Sequence, residues 1–172
     1  MTKPRDELRI GNVSGYQVIL ARLSRFVALM ACISAVAFPL THVFDGLPKG
    51  SGYQVGSERI FVTADAFLQT VLFLSTLSFG MAAVAGFAVR NGIGTLIWKR
   101  ELNILLLSFF TYFLSRSIIY AYDAHRAITV QLDSGNIYLN VLNPILEKQG
   151  TAVLYLAIIS IAILAVNSLV DS

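Results

Sequence analysis

The chain has 172 residues, 56% of them hydrophobic and 13% charged, with a formal net charge of +3. A soluble domain carries about 25% charged residues, so this composition excludes an ordinary soluble fold and places the chain among membrane proteins. The basic residues flank apolar segments instead of forming a block with interleaved aromatics, which argues against a nucleic-acid partner.

The polar stretch Met1 to Arg9 precedes a segment with helical apolar spacing, Val13, Tyr16, Ile19, Leu20 and Leu23, which also carries Arg22 and Arg25. Residues 10–25 read as an amphipathic segment on the cytoplasmic membrane surface, continuous with the first span. Two roles stay open for it: anchoring of that span by Arg22 and Arg25, or a lipid-sensing or partner-gating helix. The apolar run beyond Arg25 is too long for a secretory leader and lacks a small-residue cleavage signature, so it reads as a retained span.

Four apolar stretches, Phe26 to Phe44, Ile60 to Val89, Leu102 to Tyr122 and Thr151 to Val170, each supply the roughly 20 residues that cross a hydrocarbon layer of about 30 Å at 1.5 Å per residue. Lipid cannot satisfy the amides of an open strand, so the expected fold is an all-α membrane protein with four transmembrane helices. Arg22 and Arg25 before the first span, with Arg90, Lys99 and Arg100 between the second and third, form the basic surface expected to face the cytoplasm. Both termini then lie inside, in a bacterial-type inner membrane. Trp98 and the pair Tyr120 and Tyr122 fall near opposite boundaries, where aromatic rings are favourable. The single cysteine, Cys32, lies within the first span; it excludes an intrachain disulfide and reads as a packing residue.

The second span places Ser75, Ser78, Ala82 and Gly86 close to one side, a face of small residues that permits close helix packing within the chain or between chains. Hydroxyls on the third span, Ser108, Thr111, Tyr112 and Ser115, have neighbouring carbonyls as ordinary partners, and Asn103 and Asn167 suit capping or interhelical bonding. Asp65 on the second span and Arg116 on the antiparallel third lie at similar depth, about 7–9 Å from the outer ends. A lone charge there is costly, so an ion pair between them is expected, fixing register or taking part in ion movement or sensing. His42 at the outer boundary suits an interfacial role or a pH-sensitive one.

Residues 123–150 form an external connection. Ile128, Val130 and Leu132 alternate with polar residues, Asp133-Ser134-Gly135-Asn136 supplies turn formers, and Ile137, Leu139 and Val141 resume the alternation. This pattern predicts a small external β-hairpin cap, resting on the bundle, on a neighbouring subunit or on an extended part of 50–56. Asn143-Pro144 is then the expected start of the last helix.

No phosphate-binding glycine loop, zinc-protease pair or nucleophile elbow is present, so no catalytic residue, metal or cofactor is expected. The chain reads as a single four-span domain, 1–172, acting as a noncatalytic subunit of an oligomeric membrane assembly with a structural, sensing or regulatory role. Its expected partners are membrane lipids, further copies of itself, and a cytoplasmic or membrane protein. The alternative is an oligomeric ion channel or small transporter, to which the absence of an inverted repeat or selectivity motif gives no support.

Overall fold

The computed structural model describes residues 15–42, 55–92 and 97–168. They form four long helices, α1 (Gly15–His42), α2 (Ile60–Gly92), α3 (Ile97–Asp133) and α4 (Leu139–Ser168), with a single 3₁₀ turn, Ser57–Arg59, ahead of α2. All four contain segments long and apolar enough to cross a membrane. The chain is a multi-pass, all-α membrane protein built as a four-helix bundle. Residues 10–14 of the amphipathic segment lie outside the described residues, but from Gly15 onward it is the first part of α1 without interruption.

The helices are not equivalent. Helices α2, α3 and α4 pack on one another, whereas α1 touches only α3 among the described elements. It does so through a narrow stripe, with Ala28 and Ala35 buried and Ser24 and Ser115 bonding across the seam. Its outer faces, including Cys32, are exposed, so the cysteine does not pack inside the bundle.

Interhelix bonds fix the directions. Arg25 on α1 pairs with Glu101 on α3, and Asn103 on α3 exchanges two hydrogen bonds with Asn167 on α4 at 2.9 and 3.1 Å. The start of α1, the start of α3 and the end of α4 therefore share one end of the bundle, which also carries Lys99 and Arg100. Helices α3 and α4 form an antiparallel hairpin whose contacts run from that basic end, through stacked Phe113 and Tyr155, to Gln131, which accepts the Tyr138 N–H at the turn.

Two apolar clusters fill the α2–α3–α4 interior. One, near the α3–α4 turn, contains Phe67, Val71, Ala124, Ile128, Ile137 and Leu142. The other, toward the basic end, contains Ala85, Ala88, Phe110, Leu156 and Ile163. A polar layer separates them. The Ser78 and Ser117 hydroxyls bond at 2.8 Å, and the Gln149 amide donates to Ser75 Oγ and to the Val71 carbonyl.

The expected β-hairpin cap is absent: no hairpin or sheet is present among the described residues, and α3 continues to Asp133. The burial pattern explains why. Ala124, Ala127, Ile128 and Gln131 are buried, the i, i+3, i+4, i+7 signature of one helix face, while Val130, which alternation would have faced inward, is 53% exposed. The turn formers end a helix instead of joining strands. Gly135 adopts a left-handed φ of 68°, its N–H bonds the Leu132 carbonyl, and the Asn136 N–H reaches back to the Gln131 carbonyl. These two bonds make a Schellman cap, which satisfies carbonyls otherwise left open. The last helix likewise begins at Leu139, before the expected Asn143-Pro144 start, with Pro144 inside it. One extended contact does reach this region, the Val55 N–H bonding the Ile137 carbonyl at 3.0 Å.

Pro39 lies inside α1 and has no N–H, so it cannot bond the carbonyl four residues earlier. That carbonyl belongs to Ala35. Ser115 on α3 donates its hydroxyl to it at 2.7 Å, so a helix defect on α1 becomes an attachment point. Ser115→Ala is expected to cost about 1–3 kcal/mol by orphaning a buried acceptor, and about 0.5 kcal/mol or less in a Pro39→Ala background, where α1 supplies its own N–H. Unfolding in mixed detergent micelles measures both; an equal loss in the two backgrounds would refute the coupling.

Candidate functional site

Arg116 is a half-buried charge within the apolar span of α3. Along α3 it lies about 25 Å from Lys99, near the far side of a hydrocarbon layer of about 30 Å. Its Nη1 donates to Tyr112 Oη and its Nη2 to Tyr120 Oη, both at 2.9 Å. The two tyrosines stand one helical turn before and after it, so α3 itself builds this bracket. From α1, the Phe38 ring covers the guanidinium, with Cζ 4.4 Å from the ring centroid. Such a contact stabilises a partly desolvated cation by about 0.5–2 kcal/mol. The Phe38 and Tyr120 rings also meet edge to face.

Beyond this bracket Arg116 borders a cleft of about 410 Å³ between α3 and α4, with Phe113, Tyr155 and Ala152 on its apolar side and Glu147, Lys148 and Thr151 at its polar rim. No carboxylate pairs with Arg116 among the described residues, and its Nε is buried without a hydrogen-bond partner.

The structure does not bring Asp65 and Arg116 together. Asp65 is exposed on α2 and accepts a hydrogen bond from Gln69 one turn on, at 2.8 Å. Residue counting along a helix leaves the direction around its axis open. The aromatic partners of Arg116 were legible locally, since Tyr112 and Tyr120 sit at i−4 and i+4; Phe38 was not, because nothing in the sequence pairs α1 with α3.

The small-residue face divides. Ser78 is buried against Ser117, Ser75 receives Gln149, and Ala82 packs against the apolar cluster toward the basic end, whereas Gly86 is exposed and an added Cβ there would meet nothing within 4 Å. The basic residues divide as well. Arg22 and Arg90 are exposed, Lys99 is buried, and Arg25 makes a forked contact with Glu101, its Nε donating to Oε2 at 3.1 Å, while Arg100 lies 3.7 Å from the same carboxylate. Ser24 also donates to Glu101. Of the boundary aromatics, Tyr122 is exposed but Tyr120 is buried. The side chains of Trp98 and His42 lie outside the described residues. Among the described residues no three His, Cys, Asp or Glu side chains cluster as a metal site.

Fold and site together define a multi-pass membrane protein whose helices carry an aromatic-bracketed arginine beside an interhelical cleft. Comparison with protein-family models, characterised proteins and solved structures finds no match.

Because Asp65 and Arg116 have separate partners, Asp65→Asn and Arg116→Gln are expected to change unfolding free energy additively, within about 0.5 kcal/mol. Arg116→Gln carries the larger loss, and the exposed Asp65→Asn change stays within about 0.5 kcal/mol. A coupling above about 1 kcal/mol in the double variant would contradict this arrangement.

Proposed function

We propose that the chain is a noncatalytic subunit of an oligomeric inner-membrane assembly with a structural or regulatory role, oriented with its basic end and both termini in the cytoplasm. The observation that carries this reading is how the interior polar groups bond. Ser78 with Ser117, Asn103 with Asn167, and Gln149 with Ser75 fasten helix to helix, and apolar clusters flank the central polar layer on both sides. Such an interior suits a rigid packed unit, with each polar group used to hold a neighbouring helix.

The outward side of α2 supports assembly. Thr76, Gly80, Ala83 and Phe87 are exposed on it at spacings of four, three and four residues, and a Cβ added at Gly80 would meet nothing within 4 Å of its own chain. Small residues on a lipid-facing side permit close approach of a second helix. The orientation rests on the positive-inside bias of Arg22, Arg25, Arg90, Lys99 and Arg100.

In lipid nanodiscs the particle mass is expected to be a multiple of one chain, and proteoliposomes are expected to show no ion flux above empty vesicles. Gly80→Leu, whose added Cβ meets nothing within 4 Å of its own chain, is expected to shift the particle toward the single chain. A single-chain mass for the unaltered protein would overturn the assembly reading, and ion flux would favour the channel.

A further inference from the structure

We propose that the α3–α4 cleft binds an anionic phospholipid, with the headgroup phosphate held by Arg116 and Lys148 and an acyl chain laid against Phe113 and Tyr155. Three observations point to this occupant. The first is charge. Arg116 and Lys148 line the cleft against the single carboxylate of Glu147, leaving a balance of one positive charge, the complement of one phosphodiester. The second is donor capacity. A guanidinium has five N–H groups, and Arg116 gives only one from each terminal nitrogen to a tyrosine. Arg116 lines the cleft with terminal donors beyond those two bonds, and a guanidinium fork matches phosphate oxygens.

The third is depth and shape. On α3, Arg116 stands about 25 Å from Lys99, and on α4, Thr151 stands about 25 Å from Ser168, so the cleft straddles the boundary between hydrocarbon and headgroups. Its polar rim, Glu147 and Lys148, lies on the headgroup side. Its apolar residues lie toward the hydrocarbon, where Phe113 and Tyr155 stack at 4.7 Å and Ile158, one turn farther along α4, is exposed. A volume of about 410 Å³ lies within the range of about 300–1,000 Å³ usual for ligand clefts. Phosphate without a chain would leave the apolar half of the cleft uncovered, and a zwitterionic lipid would bring a third cation toward Arg116 and Lys148.

The test uses the full chain in neutral detergent, titrated separately with dioleoylphosphatidylglycerol, dioleoylphosphatidylcholine and sodium phosphate, and read by native mass spectrometry and by thermal midpoint. Phosphatidylglycerol is expected to bind saturably and raise the midpoint; phosphatidylcholine and free phosphate are expected to do neither. Single charge changes at the rim give opposite signs. With about 1 kcal/mol per charge near a membrane surface, Lys148→Gln is expected to weaken phosphatidylglycerol binding about fivefold and Glu147→Gln to strengthen it about fivefold. Both side chains are exposed on α4, so these variants test binding without disturbing the interior. Arg116→Gln is expected to abolish the preference for phosphatidylglycerol over phosphatidylcholine. Equal binding of the two lipids, stabilisation by free phosphate alone, or rim variants that leave affinity unchanged would each overturn the proposal.

Discussion

A polar group inside a hydrocarbon layer has only the protein to bond to, and this constraint governs how the four helices meet. The seam between α1 and α3 shows it most directly. Pro39 opens one carbonyl on α1, Ser115 closes it from α3, and two further contacts bracket that bond: Arg25 with Glu101 at the basic end and Phe38 over Arg116 at the other. In the central layer between α2, α3 and α4, the Ser78 and Ser117 hydroxyls and the Gln149 amide nitrogen find protein partners, while the Gln149 amide oxygen has none among the described residues. Removal of any one partner exposes another to the full cost of an unmet hydrogen bond.

Element existence was legible because lipid leaves few choices. A run such as Ile60 to Val89 can only be a spanning helix, and the basic flanks mark which ends belong together. The hairpin expectation failed where two codes overlap. Ile128, Val130 and Leu132 alternate, but Ala124, Ala127, Ile128 and Gln131 also trace a helical face, and Ser134-Gly135-Asn136 serves a Schellman cap as readily as a strand turn. The long-range partner decided: Phe67 and Val71 on α2 and Leu142 on α4 cover the helical face. Alternation reports which residues are apolar; it does not report from which direction a neighbour will arrive.

The site was partly legible for a related reason. Arg116 stood out as a charge in an apolar segment, and depth along the helix comes from counting residues. Rotation about the helix axis depends on packing, and Asp65 bonds Gln69 on its own helix instead of Arg116. Aromatic rings and phenol oxygens replace the expected carboxylate, so no described carboxylate bonds Arg116 directly. The bracket thus holds a cation in place without neutralising it.

That α1 attaches to α3 alone among the described elements has a consequence for biogenesis. Its partner is not the next helix in the chain but the one after it, so α1 enters the bilayer with no described neighbour to receive it. Helices α3 and α4, joined by a short capped turn, are local partners by contrast, and α2 packs against both. Contacts between distant chain segments form later than local ones when closure entropy governs the order. Docking of α1 therefore waits for α3, and until Ser115 reaches the Ala35 carbonyl, the proline gap in α1 has no bond from its own helix.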